Sequence, residues 1–185
     1  MLFLCSTSAD ERKAEDAELE ALLRQIAAGS SPALESLYRR TSTSVYGFAL
    51  SILKNTHDAE DILHDCYVTI YTAAEGYRAA WKPMAWIMTI TRNLCLQKLR
   101  ERRKLADLPQ EDWEPYLESR EEITPEDRLV LSACMESLSD EERQIVVLHA
   151  VSGFRHREIA ALMALPLPTV LSKYTRALKK LRQRL

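Results

Sequence analysis

Apolar residues recur at helical spacing along most of this chain, and short polar or glycine-containing breaks separate the stripes they form. The first stripe contains Leu19, Leu22, Leu23 and Ile26 and ends before Gly29. Residues at i, i+3 and i+4 lie on one face of an α-helix, so this spacing predicts a helix that packs through that face. Further stripes follow with short connections at about 31–54, 56–76 and 83–104. Four such helices can close one small core, which predicts a first domain over 14–105 and a disordered segment over 1–13.

A second group of helices is predicted after residue 124. The sequence Ser139-Asp140-Glu141-Glu142 has the spacing of a capping box and marks a helix start. A short helix, a tight turn and a basic last helix follow over 155–163, 164–167 and 168–185. This order is typical of a helix-turn-helix, although Ala164 stands where such turns often have glycine. The chain is therefore predicted to be all-α, with a second small domain over 125–185.

The net charge of −2 hides a strong separation of charges along the chain. Residues 92–104 and 173–184 are rich in lysine and arginine, whereas 107–127 is rich in acids and prolines. Such a composition buries little surface, so we interpret 106–124 as a flexible acidic linker. Trp113, Tyr116 and Leu117 could anchor that linker to a partner. Two basic patches joined by an acidic linker indicate two contacts with a polyanion.

The last helix has one apolar face and one cationic, hydroxyl-bearing face. Thr169, Ser172, Lys173, Arg176 and Lys180 fall opposite the apolar stripe that contains Val170, Tyr174, Leu178 and Leu181. Arginine and lysine in a helix of this kind read guanine and bind phosphates in the major groove of DNA. The alternative is an amphipathic C-terminal helix whose basic face is only solvated.

Several other kinds of chemistry have no pattern in this sequence. The 4 cysteines are far apart and form no CxxC pair, and the 4 histidines add no metal-binding spacing. Asp58, Asp61 and Asp65 could in principle bind a metal, but their spacing favours a solvated or partner-binding helix face. No phosphate loop or nucleophile motif occurs, so neither an enzyme nor a cofactor is predicted. Met1–Cys5 is too short for a signal segment and no membrane-spanning run occurs, which predicts a cytoplasmic protein.

With these features in place, the chain resembles the extracytoplasmic-function sigma factors, which belong to the sigma-70 family and direct bacterial RNA polymerase. The likeness extends from about Leu19 to Leu185 and rests on several segments in the same order: 33–40 ALESLYRR, 58–65 DAEDILHD, 85–87 AWI, 90–96 ITRNLCL and 169–173 TVLSK. Leu171 and Lys173 depart from the family's usual T-V-K-S-R, and Pro83-Met84 replaces an aromatic-basic pair. Because of these departures, the promoter preference of other family members cannot be transferred to this chain.

The resemblance implies a non-enzymatic transcription initiation factor with two DNA contacts. Asp58, Asp61, Ile62 and Asp65 would dock the first domain onto a coiled coil of core RNA polymerase. The minus-ten region would be recognised and melted by Tyr77, Arg78, Trp81, Lys82, Arg92, Asn93 and Lys98. The minus-thirty-five element would be bound by Arg155, Arg157, Thr169, Ser172, Lys173, Arg176 and Lys180. An anti-sigma factor, often membrane-bound, would control the protein, which is expected to be monomeric when free.

Two points stay open at the level of sequence. Trp86 shares a helix face with Ile90 and Leu94, which favours core packing over base stacking. Leu171 is either extra core packing or the sign of a different promoter preference. Two rival functions also stay open: a plain DNA-binding regulator that needs no polymerase, and an interaction protein that occupies polymerase without initiating transcription.

Overall fold

A computed structural model describes residues 9–78, 82–105 and 135–183, and every regular element within these ranges is helical. In chain order the α-helices are α1 Ala9–Ala27, α2 Ser31–Leu53, α3 Thr56–Ala73, α4 Pro83–Leu105, α5 Asp140–Ala150, α6 His156–Met163 and α7 Leu167–Arg182, with a 3₁₀ turn at Ala74–Gly76. The predicted all-α class is confirmed. The predicted linker, with Trp113, Tyr116 and Leu117, lies outside the described residues, and the domain boundaries stay predictions.

The starts of the first three helices differ slightly from the sequence prediction. Helix α1 begins at Ala9 and not at Ala14, and four of the five residues from Ala9 to Lys13 are good helix formers. The sequence predicts Ser31 and Thr56 as the N-caps of α2 and α3, and the structure has Ser30 and Asn55 instead, each one residue earlier. The oxygen of each cap accepts an amide N–H three residues on, with the Asn55 bond at 2.9 Å.

The core of the first domain lies between α2, α3 and α4. Phe48, Leu50, Ile70, Ile87 and Met88 are fully buried there, and α1 covers one side through Leu19, Leu23 and Ile26. The buried Thr41 hydroxyl is satisfied by a 2.6 Å contact with the Tyr67 hydroxyl. Helix α4 thereby holds its basic C-terminal half next to the acidic start of α3.

The described part of the second domain begins at a capping box and ends in a helix-turn-helix. The predicted capping box is present: the Ser139 hydroxyl accepts the Glu142 amide at 3.3 Å, and Glu142 accepts the Ser139 amide at 2.9 Å. Ala164 ends α6 in the left-handed conformation, with φ 55° and ψ 41°. A side chain there is strained, which is why such turns often have glycine. Behind the turn, His149 and His156 stack at 4.5 Å and Tyr174 of α7 meets both rings edge-on.

The two domains pack directly against each other, which the sequence did not predict. Helix α5 lies on the C-terminal half of α2, and one continuous cluster of buried residues runs from the first domain into the second. Arg143 of α5 is only 2% exposed and donates to the carbonyl of Ser51 in α2 at 3.5 Å. Lys54 pairs with Asp140 at 3.1 Å, and Lys82 pairs with Glu158 of α6.

Candidate nucleic-acid interface

The exposed face of α7 is fixed by the residues that α7 buries. Val170 and Ala177 are fully buried, and Tyr174 lies half-buried beside them against the ring cluster. Because a helix turns by about 100° per residue, burial of these residues makes the opposite side of α7 face away from the domain. The exposed side chains of α7 are Pro168, Leu171, Ser172, Thr175, Arg176, Lys179 and Arg182. The face that projects from the domain therefore combines hydroxyl, cationic and apolar groups.

Of the five residues predicted on this helix to bind DNA, Ser172 and Arg176 lie on the fully exposed face. The Nε of Arg176 donates to the Ser172 carbonyl at 3.4 Å, which orients the guanidinium along the helix surface. Thr169 is half-buried at the edge of the face. Besides Pro168 and Arg182, the exposed set contains three residues that the sequence prediction omitted: Leu171, Thr175 and Lys179. Their exposure could have been predicted from the sequence, because they follow Pro168 by three, seven and eleven residues and therefore lie on the same side of the helix.

The two predicted lysines of α7 are held by carboxylates of α5. Lys173 lies 2.6 Å from Glu141, and Lys180 lies 2.6 Å from Glu142. Burial alone would raise the pKa of Glu142, but the hydrogen bonds from Lys180 and Ser139 outweigh it and hold that pKa below its ordinary value. The Glu142 side chain is only 5% exposed, so its pair with Lys180 fixes the angle between α5 and α7. Both lysines thus position the recognition helix.

Arg155 and Arg157 lie at the start of α6 and are both exposed. The Arg155 amide donates to Glu158 at 2.8 Å, which caps the helix and leaves both arginine side chains directed away from the core. A helix N-terminus with two cations is suited to a DNA phosphate. The structure therefore places both residues where a backbone contact is geometrically available.

The predicted minus-ten residues are spread around the start and the outer side of α4. Tyr77 packs edge-on against Trp86 with ring centres 5.3 Å apart, and both are half-buried, in agreement with the core role expected for Trp86. Arg78, Lys82 and Asn93 are exposed, whereas Arg92 is half-buried. Trp81 lies outside the described residues.

Lys82 and Lys98, two of these cations, are paired with acids in the structure. Lys82 binds Glu158 of the second domain; burial alone would raise the pKa of Glu158, but the hydrogen bond from Lys82 outweighs it and keeps that pKa below its ordinary value. Lys98 donates to Asp61 at 3.0 Å and lies 3.5 Å from Asp58. The hydrogen bond from Lys98 lowers the pKa of Asp61.

The four predicted polymerase-binding residues of α3 separate into buried and accessible pairs. Ile62 is 2% exposed and packs in the core, and Asp58 is 6% exposed and pairs with both Lys98 and Arg102 of α4. Asp61 is half-buried and Asp65 is exposed. Asp58 therefore ties α3 to α4 in this arrangement, and only Asp61 and Asp65 offer a surface to a partner.

Two large apolar residues, Val68 and Tyr71, lie on the accessible side of α3, at 65% and 45% exposure. Together with Asp61 and Asp65 they form a surface that we call the α3 outer face. Val68 and Tyr71 were not among the predicted polymerase-binding residues. Their positions outside the apolar stripe of Ile62, Cys66 and Ile70 could have identified them as exposed.

Two findings bear on membrane and metal chemistry within the part of the chain that the structure describes. No described helix is long and apolar enough to cross a bilayer. Nor do three His, Cys, Asp or Glu side chains in those ranges come close enough together to hold a metal ion.

Comparisons with known proteins agree with this geometry in both domains. The sigma-70 region 2 model matches residues 37–105, and the sigma-70 region 4 model matches residues 128–181. The ECF RNA polymerase sigma factor SigK of Mycobacterium ulcerans is 27% identical over 172 residues, which cover 89% of this chain and 92% of that protein. SigE of Mycolicibacterium smegmatis is 30% identical over 162 residues, which cover 82% of this chain and 61% of that protein.

Two solved structures share the fold. One contains CnrH in complex with the cytosolic domain of CnrY; it has a TM-score of 0.65 and 22% identity and covers 90% of this chain and 96% of CnrH. The other contains the sigma factor RpoE in complex with the anti-sigma factor NepR from Bartonella quintana. It has a TM-score of 0.68 and 21% identity, and it covers 81% of this chain and 94% of the matched chain. Since the models of both sigma regions match in order and the relatives are ECF sigma factors, the chain belongs to the sigma-70 family, in its extracytoplasmic-function group.

Proposed function

We propose that this protein binds core RNA polymerase and directs promoter-specific transcription initiation. The observation that carries the proposal is the outward face of α7, where Ser172 and Arg176 project from a helix-turn-helix whose apolar side is fully buried. That face binds the minus-thirty-five element as duplex, with Arg155 and Arg157 on flanking phosphates. The protein is not an enzyme and acts with polymerase in the cytoplasm.

The polymerase contact is made by the α3 outer face. Val68 and Tyr71 provide an apolar ridge, and Asp61 and Asp65 flank it with negative charge. A surface of this kind complements a basic amphipathic helix, such as one strand of a coiled coil in the largest polymerase subunit. Asp58 and Ile62 support this face from behind, because they fix α3 against α4 and the core.

The minus-ten contact is made along α4 and the loop before it. Arg78, Lys82, Asn93 and Lys98 supply cations and hydrogen-bond donors for a strand that has been separated from its complement. Arg92 and Tyr77 lie behind them at the protein surface. Lys98 contacts DNA when a phosphate replaces Asp61 as its ion-pair partner. This replacement is possible because the Lys98–Asp61 pair lies at the surface, with side chains 31% and 42% exposed.

The contact between the two domains opens when both promoter elements are bound. Their centres lie roughly 25 base pairs apart, which is about 85 Å at 3.4 Å per base pair. Domains in contact cannot span that distance, whereas a fully extended chain of the length of 106–134 reaches roughly 100 Å. Fluorescent labels on α3 and α7 are expected to move apart when core polymerase and promoter DNA are added.

An anti-sigma factor is proposed as the regulator. RpoE, which shares this fold, is named in complex with the anti-sigma factor NepR, and CnrH, which also shares it, is named in complex with the cytosolic domain of CnrY. The site that this partner takes on the present chain includes one or both of the two outward faces, of α3 and of α7, since those are the faces that transcription needs.

Run-off transcription with purified core polymerase tests the function directly. A specific transcript that depends on the added protein is expected. A regulator that needs no polymerase would bind duplex DNA alone and give no transcript, and an interaction protein would bind core enzyme and give none either. Both results would contradict the proposal.

Two charge reversals test the division of labour between the domains. Arg176→Glu is expected to abolish promoter-specific transcription and leave core-polymerase binding intact, whereas Asp61→Lys should weaken core binding. Arg39→Glu is the matched control for the arginine, since Arg39 is exposed on α2 and its partner among the described residues is Glu35 of the same helix. Loss of core binding with Arg176→Glu, or unchanged core affinity with Asp61→Lys, would contradict the assignment.

A further inference from the structure

Leu171 is an exposed apolar residue in the middle of a face built to meet DNA. It is 44% exposed, although Val170 beside it is fully buried. This exposure excludes the first of the two explanations that the sequence left open, extra core packing. Among the described residues, the large hydrophobic side chains with comparable exposure are Tyr38, Val68, Tyr71 and Val151, and none of these is on α7.

The surroundings of Leu171 form a short apolar strip. The Thr175 hydroxyl donates to the Leu171 carbonyl at 2.9 Å, so its only hydrogen is turned back to the helix, and the exposed Thr175 side chain has a methyl group but no free donor to offer. Pro168, one turn earlier, is also exposed. The strip therefore consists of a proline ring, a leucine side chain and a threonine methyl, with Ser172 and Arg176 along its polar border.

The major groove of DNA offers few partners for such a strip. Phosphates and most base edges present charge or hydrogen-bonding groups, and the apolar group that stands out is the methyl on carbon 5 of thymine. We propose that Leu171 packs against the 5-methyl group of a pyrimidine in the minus-thirty-five element and thereby selects thymine at that position. This inference rests on the proposed function, since it needs α7 in the major groove.

The polar border of the strip explains how the leucine is brought to one base. Arg176 is oriented by its 3.4 Å bond to the Ser172 carbonyl, and Lys173 and Lys180 are tied to α5. Contacts with phosphates fix the register of the helix on the duplex, and the uncharged Leu171 then reads the base edge. A leucine also makes no phosphate contact, so the affinity gained at this position is independent of salt.

The test removes a single methyl group from the DNA. Holoenzyme is first used to select promoters from duplexes with a randomised minus-thirty-five region, and each thymine of the selected element is then replaced by uracil. Holoenzyme with the unaltered protein is expected to lose about fourfold in affinity at one position, the effect of one methyl group that returns to water. Replacement of that thymine's base pair by one that carries 5-methylcytosine, with unmethylated cytosine for comparison, separates the methyl group from the rest of the base.

Variants locate the effect on the protein. Leu171→Ala is expected to bind thymine and uracil duplexes equally at that position, and Leu171→Lys should also lose the difference while its affinity becomes more dependent on salt. Val151→Ala is the matched control, because Val151 is exposed to a similar extent at the end of α5, and it should keep the fourfold difference. Thermal unfolding checks that the variants fold, as expected for an exposed side chain.

The possible failures are distinguishable. If holoenzyme selects a minus-thirty-five element but tolerates uracil at every position, or if Leu171→Ala keeps the thymine preference, the inference is wrong and the proposed function stands. If holoenzyme selects no element at all, the proposed function itself is contradicted, and the inference with it.

Discussion

Arg143 is the largest fully buried side chain in the structure, and its truncation gives a sharp test of the domain arrangement. Its guanidinium donates to the carbonyls of Met135 at 3.1 Å and Leu138 at 3.0 Å. It also reaches Asp140 at 3.1 Å and, across the domain contact, the Ser51 carbonyl at 3.5 Å. Arg143→Ala removes these interactions and leaves the carbonyls in place.

The expected loss follows from the quality of each bond. Two short bonds from a charged donor to carbonyls are worth about 1.5 kcal/mol each when a buried acceptor is left without a partner. The Asp140 pair adds little, because the Asp140 side chain is 65% exposed and water can replace the arginine. The Ser51 bond adds little because it is long. We therefore expect the free energy of unfolding to fall by about 3 kcal/mol.

Urea unfolding followed by circular dichroism measures this change, since the tryptophans of the chain all precede the second domain. Lys54→Ala is the control at the same contact: its partner Asp140 is largely exposed, and the loss should stay below about 1 kcal/mol. Arg143→Met keeps the length of the side chain but not its donors, and should behave like the alanine variant. A loss for Arg143→Ala no larger than that for Lys54→Ala would refute the reasoning.

Three further changes have definite expected outcomes. Ala164→Gly should raise the free energy of unfolding by about 1 kcal/mol in urea titration, because glycine adopts the left-handed conformation without strain. His156→Gln should flatten the pH dependence of stability: burial and then His149 lower the pKa of His156 below its ordinary value of 6.5, so the unfolded chain binds a proton that the folded chain refuses. Stability of the unaltered protein therefore falls as pH drops below about 6.5. Val68→Asp should weaken core-polymerase binding at least about tenfold in a pull-down titration, since it puts a charge on the apolar ridge.

Each of these has an outcome that would count against it. A less stable Ala164→Gly variant would show that the turn does not need the left-handed conformation. An unchanged pH slope in His156→Gln would remove that histidine as the source of the acid sensitivity. For Val68→Asp the comparison is Val151→Asp, and equal loss of core binding in both variants would mean a general effect of added charge.

The local features of this protein were predictable because they depend on residues close in sequence. The capping box at Ser139, the apolar stripe of α7 that contains Val170 and Tyr174, and the turn at Ala164 all follow from spacings of three or four residues. The helical class follows from the same spacings, whereas the family of the two domains was indicated by the resemblance of several segments in order. The caps at Ser30 and Asn55 were each missed by one residue, because neighbouring residues compete for the same role and only backbone geometry decides.

The candidate site could be predicted only in part, because charge and exposure depend on distant partners. Sequence selected Lys173 and Lys180 as DNA contacts, and the tertiary structure pairs both with carboxylates of α5. It grouped Asp58 and Ile62 with Asp65, and the structure buries the first two and exposes the third. An amphipathic pattern gives the average direction of a helix face to within about the rotation of one residue. That uncertainty is enough to assign a lysine to the exposed face when the structure exposes a leucine there instead.

By itself, the sequence determined an all-helical chain with a recognition helix at its end, since helix starts, caps and apolar stripes are encoded within a few residues. Tertiary structure decided which side of that helix meets solvent, which cations pair with acids, and that α5 rests on α2 through Arg143. These depend on packing between helices that are far apart in the chain, where burial and charge neutralisation are set jointly by both partners. Leu171 shows the difference most directly: its identity is a sequence fact, but its exposure is a property of the fold.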